Sequence, residues 1–134
     1  MEQMDVKNDN VASSRFHNVD MHGTVFNDVN LAGTSFENIN LSKSRFHDIN
    51  FSDVVFTAAQ IGGCHFKHIG LPPDKDGNHP RQRPVTFEEA TLCDSLFRKV
   101  DLSNVKIVES NISGMTIDGV LVTDLLEAYR KAAK

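Results

Sequence analysis

Residues 24–53 read TVFND VNLAG TSFEN INLSK SRFHD INFSD, and the same chemical pattern returns in them every five residues. The central residue of each group is large and apolar, as at Phe26, Leu31 and Phe36. Two places before it stands a small or β-branched residue, such as Thr24. The other places are mostly polar. An internal repeat of this kind is the first feature that a fold prediction must explain.

The repeat extends along nearly the whole chain in two runs. Its central residues are Phe16, Met21, Phe26, Leu31, Phe36, Leu41, Phe46, Phe51, Phe56, Ile61, Phe66 and Leu71, followed by Phe87, Leu92, Phe97, Leu102, Ile107, Ile112, Ile117 and Val122. All nine phenylalanines of the protein occupy this central place. The pattern is therefore not a product of chance.

A five-residue period fits neither a helix, with 3.6 residues per turn, nor a strand, with a period of 2. It fits a chain that bends once per repeat. Such a chain points two residues of each repeat inward, the central one and the one two places before it. The other three point outward. The period thus predicts a narrow apolar interior and polar corners.

Residues 14 to 124 resemble the pentapeptide-repeat family, whose pattern the quoted stretch follows closely. The resemblance implies an all-β fold, a right-handed quadrilateral β-helix with four repeats per coil. The two runs then make about five coils, ending in a short C-terminal α-helix. Neighbouring coils are expected at the strand spacing of about 4.8 Å. Two columns of stacked apolar residues follow, namely Phe16, Phe36, Phe56, Phe87 and Ile107, and Phe26, Phe46, Phe66, Phe97 and Ile117.

The composition is that of one modest domain. The chain has 134 residues, of which 40% are hydrophobic, and a formal net charge of -4. This charge argues against a strongly basic nucleic-acid-binding protein. No apolar run approaches the roughly 18 residues of a membrane-spanning helix. Two cysteines cannot build a disulfide framework. The sequence therefore predicts a soluble, cytoplasmic protein.

The repeat divides the chain into four parts. Residues 1–13 are expected to form an N-terminal cap segment, and 14–122 the β-helix. Residues 74–84 interrupt it as a proline-rich loop, which is either a binding element or a tolerated insertion. Residues 123–134 are expected to form a helix. Side chains on two outward columns, Asn30 with Asn50 and Asp20 with Asn40 and Gln60, are suited to hydrogen bonds between coils.

The C-terminal helix has an apolar stripe that must cover something. Thr123 or Asp124 can cap its start, with Glu127 in a capping-box position. Leu125, Leu126 and Tyr129 lie on the stripe. Because an uncovered last coil would expose apolar core and an unpaired edge, the helix covers either its own last coil or that of a partner. The chain is accordingly expected to be a monomer or a homodimer through this helix.

Charged side chains segregate on the predicted faces. The candidate partner-binding residues are Arg45, His47, Lys67, His68, Arg98 and Lys99 on one face, and His79, Arg81 and Arg83 in the loop. His65 also lies on the basic face, which Asp28, Asp48 and Asp118 partly neutralise. The opposite face presents Glu37, Glu88, Glu89 and Glu109. Either these charges steer a partner, or they form an ordinary solvated surface.

No catalytic or metal site is predicted, and no cofactor is expected. Cys64, His65 and His68 have the spacing of a zinc fragment, but zinc needs three or four converging ligands. The repeat points Cys64 inward and His65 outward, so the two side chains diverge. A filled interior also offers no cleft of the kind that enzymes use. The sequence thus predicts a protein that is not an enzyme.

Three functions stay open on this sequence. The first is a non-catalytic protein-interaction scaffold, with a protein partner and no direct nucleic-acid binding. The alternative comes from the resemblance to quinolone-resistance pentapeptide-repeat proteins, which mimic DNA and modulate the type II topoisomerase gyrase. A DNA mimic imitates about one charge per 1.7 Å, which a net charge of -4 supplies poorly. The third is a structural protein without a specific partner.

Overall fold

The computed structural model describes residues 2–134. Regular secondary structure in this part of the chain is confined to its end: strand β1 at Thr116–Ile117, strand β2 at Val120–Leu121 and helix α1 at Val122–Ala132. Residues 2–115 consist of turns, bends and segments without regular secondary structure. The chain forms two units, Met1–Gly62 and Gly63–Lys134.

Unit Met1–Gly62 changes direction every five residues, as the repeat predicts. At every change one residue adopts the left-handed backbone region. These residues are Asn8, Ser13, Asn18, Gly23, Asp28, Gly33, Asn38, Lys43, Asp48, Asp53 and Ala58. A sharp change of chain direction is thus present at each repeat. This change separates inward from outward residues.

Two kinds of corner alternate along this unit. In the first, which we call a turn corner, the backbone closes a four-residue turn, as where Thr34 N–H donates to the Leu31 carbonyl at 3.1 Å. A positive φ at the third residue, here Gly33, is typical of a type II turn. In the second, a bend corner, as around Asp28, the backbone bends without a hydrogen bond that closes a turn. A corner comprises the three outward residues around one central apolar residue.

Side chains of Asn or Asp close the turn corners. Asn30 Oδ1 accepts the Ala32 N–H at 3.0 Å, and the corresponding bonds begin at Asn10, Asp20, Asn40 and Asn50. These are Asx turns, in which the side chain bonds the backbone two residues on. At Asp20, Asn30, Asn40 and Asn50, where hydrogen bonds between coils were expected, the structure thus shows bonds within one turn; the bonds between coils stay a prediction. A short Asn side chain reaches its own corner first, because the acceptor and donor belong to the same turn.

Unit Gly63–Lys134 repeats the same alternation. Turn corners carry positive φ at Gly63, Asp94, Asn104 and Gly114, and bend corners carry it at His68, Glu89, Lys99 and Glu109. Asp101 and Asn111 make Asx turns with the N–H groups of Ser103 and Ser113. The last repeat takes a different form, a β-hairpin in which Ile117 pairs with Val120. Its turn residues Asp118 and Gly119 both have positive φ, as a type I′ turn requires.

The helix expected at the end of the chain is present as α1, but its cap differs from the prediction. Leu121 is the N-cap, in extended conformation, and no side chain bonds the first turn. Capping by Thr123 or Asp124 is therefore wrong. The physical reason is that the Val122 N–H donates to the Met115 carbonyl at 3.0 Å, so the hairpin itself fixes the start of the helix.

Charges in α1 follow its dipole. Asp124 lies in the first turn, and Arg130 and Lys131 in the last. Acidic groups near the N-terminus and basic groups near the C-terminus both stabilise a helix. Lys131 Nζ also lies 3.1 Å from Glu127 Oε1. These interactions hold the helix without the capping box.

The inward positions are distinguished by their exposure. Before the hairpin, the large apolar residues at outward places, Val25, Val55, Leu96 and Val108, are 71% to 83% exposed. No large apolar residue at an inward place of the two runs exceeds 68%. Three consecutive central rings also converge: Phe51 lies 5.7 Å from Phe46 and 5.8 Å from Phe56, both edge-to-face. The inward and outward assignment from the period thus agrees with the side-chain positions.

The expected filled core is not observed, because no residue of the described chain is buried. The accessible surface is 14845 Å², against roughly 7,000 Å² for a compact monomer of this mass. Within residues 2–134 the strands pair only between β1 and β2. The corners form without neighbouring coils because their hydrogen bonds are local. Stacked quadrilateral coils thus stay a prediction.

Candidate interaction surface

The candidate binding residues outside the loop share one structural setting. Arg45, His47, Lys67, His68, Arg98 and Lys99 all lie on bend corners and are all exposed. None lies on a turn corner. His68 and Lys99 are themselves the residues with positive φ at their bends. The long charged side chains of the candidate set are therefore presented to solvent from the bend corners.

Two bend corners of unit Met1–Gly62, around Phe26 and Phe46, line a common groove. It has a volume of about 340 Å³ and lies between residues 26–31 and 47–49. His47 lines it together with Asp28 and Asp48. Two bend corners one predicted coil apart thus share one groove, in which basic and acidic groups are mixed, whereas Arg45 does not line it.

A second groove of the same kind lies in unit Gly63–Lys134. It has a volume of about 480 Å³ and is lined by residues 86–89 and 108–110. Glu88, Glu89 and Glu109, which the repeat assigns to one face, all line it. Phe87 and Val108 supply the apolar part of its wall. The structure thus brings together the acidic side chains of two bend corners twenty residues apart.

The start of loop 74–84 is organised by one carboxylate. Asp74 Oδ1 accepts the backbone N–H groups of Asp76 at 2.9 Å and Asn78 at 2.8 Å, and Oδ2 accepts Asn78 Nδ2 at 3.2 Å. Two backbone hydrogen bonds close the same segment. Asp74 N–H donates to the Asn78 carbonyl at 2.8 Å, and Gly77 N–H donates to the Asp74 carbonyl at 3.0 Å. The Asn78 N–H, chiefly, lowers the pKa of Asp74. The loop is therefore pre-organised at its base.

The second half of the loop interacts with a turn corner of the same unit. Hydrogen bonds from Ser103 lower the pKa of the Asp101 carboxyl, and the positive charge of Arg81 adds to this effect. The charge of Arg81 therefore acts on a turn corner of the repeats. His79 is exposed. Arg81 thus has the Asp101 carboxylate as an electrostatic neighbour.

The zinc-like spacing does not produce a metal cluster. No group of three or more His, Cys, Asp or Glu side chains among residues 2–134 is arranged to hold a metal ion. Cys64 and Cys93 are both free and exposed. The inward burial expected for Cys64 is therefore not what the structure shows, because no neighbouring coil covers the interior there.

The apolar stripe of α1 is only partly covered. Leu125 and Leu126 are 45% and 38% exposed, and Tyr129 is 73% exposed. The helix follows β2 directly, which explains the lower exposure of the two leucines near its start. Within residues 2–134 no helix has the length and hydropathy that a membrane span requires.

Sequence reasoning missed the two kinds of corner and the hairpin. The signal for the first was present, since Asn or Asp stands before every second central residue from Asn10 to Asn50. The signal for the second was the Asp118-Gly119 dipeptide between Ile117 and Val120, which is typical of a two-residue hairpin turn.

Comparison with known proteins bears on the repeats alone. Residues 12–55 match the family model "Pentapeptide repeats (9 copies)". No curated protein and no solved structure matches the chain. The matched residues contain nine of the corners described above, from Ser13 to Asp53, each with positive φ. The sequence match and the backbone geometry agree: residues 12–55 of this chain are pentapeptide repeats.

Proposed function

We propose that the protein is a non-catalytic interaction scaffold that binds a protein partner in the cytoplasm. Pentapeptide repeats are consistent with such a role and are generally non-catalytic. The observation that carries the proposal is the organised base of loop 74–84, where Asp74 accepts three hydrogen bonds. A loop that is ordered before binding loses less entropy when it meets a partner. The two free cysteines fit a reducing compartment.

The scaffold itself is proposed to be a right-handed quadrilateral β-helix of about five coils. Its support is that residues about twenty positions apart line one groove in each unit. With four repeats per coil, twenty residues make one coil. Closing successive coils to about 4.8 Å would bury the central Phe residues. Burial of apolar surface is the force that would drive this closure.

Helix α1 is proposed to cover the last coil of its own chain. The support is the bond between Val122 N–H and the Met115 carbonyl, which attaches the helix to the end of the repeats. Pairing with a second copy through Leu125, Leu126 and Tyr129 is the competing arrangement. Sedimentation equilibrium distinguishes the two, because cis coverage predicts a mass of 14.9 kDa.

The scaffold role is tested by capturing partners with three immobilised proteins. These are the wild type, a variant lacking residues 74–84, and Ala128→Pro, which breaks α1 at a cost of about 3 kcal/mol. The matched control is Ala128→Leu, which keeps helix propensity. We expect a specific set of proteins to bind the wild type and the control. Loss of that set in the loop or helix variant supports the proposal, and its retention in both contradicts it.

A further inference from the structure

We propose that the bend corners form the recognition surface of this scaffold, and that its cationic part, at residues 65–68 and 96–99, binds an acidic segment of a protein. This inference rests on the proposed function and names the chemistry of the partner. It depends on a difference between the two kinds of corner that runs along both units.

The residues of the turn corners mainly complete or permit the backbone turn. Seven capping positions hold Asn or Asp, whose side-chain oxygens are used by the Asx turns. The remaining positions are mostly small, as at Ala32 and Gly33. A side chain that is bonded to its own corner presents little to a partner. The turn corners are therefore structural.

The bend corners carry the long charged side chains. Between residues 10 and 114, outside loop 74–84, every arginine and every glutamate lies on a bend corner. Only one lysine in this range, Lys43, lies on a turn corner. The bend corners have no Asx cap, so their outward positions accept large side chains. Long charged side chains are thus concentrated on every second corner.

Two bend corners of unit Gly63–Lys134 carry basic residues. The first carries His65, Lys67 and His68, and the second carries Arg98 and Lys99 beside Leu96. Neither contains a carboxylate, and all these side chains are exposed. Complementary charge steers association and fixes specificity. An acidic peptide segment is therefore the ligand that these corners suit.

A nucleic acid is the weaker match to the same charges. Binding to duplex DNA requires neutralisation of many phosphates along a surface. The same unit also has the groove lined by Glu88, Glu89 and Glu109, and the chain has a net charge of -4. A long phosphate backbone would be repelled by these carboxylates, whereas a short acidic segment can bind the cationic corners alone.

The test measures binding of a fluorescein-labelled polyglutamate peptide by fluorescence anisotropy. The test variant combines Lys67→Gln, Arg98→Gln and Lys99→Gln. The control combines Ala12→Glu, Ala32→Glu and Ser42→Glu, which makes the same change in net charge on turn corners. We expect the test variant to lose affinity by about tenfold and the control to lose far less. Equal circular dichroism spectra establish that all three proteins are folded alike.

Three outcomes would overturn the inference: no binding of polyglutamate to the wild type, an equal loss in both variants, or tighter binding of a duplex oligonucleotide. A salt titration of the wild type gives a measurement that needs no variant, since binding must weaken as salt rises. The protein without residues 74–84 should still bind polyglutamate. Failure of the loop assignment and failure of this inference are thus distinguishable.

Discussion

Asn30 Oδ1 accepts a hydrogen bond from the backbone N–H of Ala32 at 3.0 Å, and this bond sits on the turn in which Thr34 N–H donates to Leu31. The two bonds lie within five consecutive residues, 30–34. The corner is therefore specified by the sequence immediately around it. Because the same arrangement returns every ten residues from Asn10 to Asn50, the chain direction is set step by step.

Removal of this side-chain acceptor should destabilise the repeats. Asn30→Ala leaves the Ala32 N–H without its partner, and we expect the free energy of unfolding to fall by about 1 kcal/mol. Urea unfolding followed by circular dichroism measures it. Asn27→Ala is the matched control, because Asn27 lies on a bend corner and caps no turn. An equal loss in both variants would argue against the Asx cap.

The left-handed residue of the same turn gives a second prediction. Gly33 has φ +74°, and nothing lies within 4 Å of the position that a Cβ would occupy. Gly33→Ala should therefore be unfavourable through backbone strain alone, by about 1 kcal/mol. Gly62→Ala is the control, since Gly62 does not have a positive φ. If the two substitutions shift the urea midpoint alike, the left-handed conformation of Gly33 is not the cause of the lost stability.

The hydrogen bonds that the Asp74 carboxylate accepts predict that the stability of the loop depends on pH. Hydrogen bonds from the Asn78 and Asp76 N–H groups favour the ionised carboxylate and lower the pKa of Asp74 below its ordinary value of 3.8. Stabilisation of the loop is thus present above pH 3.8 and is lost as the pH falls through the lowered pKa. The Asn78 amide resonance should titrate with a midpoint below 3.8.

Asp74→Asn should abolish that titration and broaden the loop resonances at neutral pH. Asp76→Asn is the control, because it keeps the three bonds that Asp74 accepts. A titration midpoint at or above pH 3.8 in the wild type would show that these hydrogen bonds do not favour the charged carboxylate.

Much of the local structure could be predicted from the sequence, and the physical reason is that it is made by neighbours in sequence. The inward places of Phe46, Phe51 and Phe56 follow from the five-residue period, and their rings converge accordingly. The helix at the end of the chain was predictable from its polar and apolar stripe. Its start was not, since the Met115 carbonyl, and no side chain, fixes Val122.

The candidate surface was predictable only in part. The repeat placed Lys67 and Arg98 outward, because outward places follow from the period. The period alone could not distinguish a turn corner from a bend corner, because both occupy five residues. That difference depends on a hydrogen bond such as Asn30 to Ala32. The convergence of Glu88, Glu89 and Glu109 on one groove likewise depends on how successive corners approach each other.

The central claim is that residues twenty positions apart stack as neighbouring coils. Cysteine crosslinking tests it most directly, with Cys64 and Cys93 first changed to Ser. Val25→Cys with Arg45→Cys places thiols one proposed coil apart on bend corners, and a disulfide requires Cα atoms within about 7 Å. Val25→Cys with Ser35→Cys, half a coil apart, is the matched control. The account predicts rapid disulfide formation in the first pair and none in the second. Equal crosslinking in the two pairs, or none in the first, would contradict it.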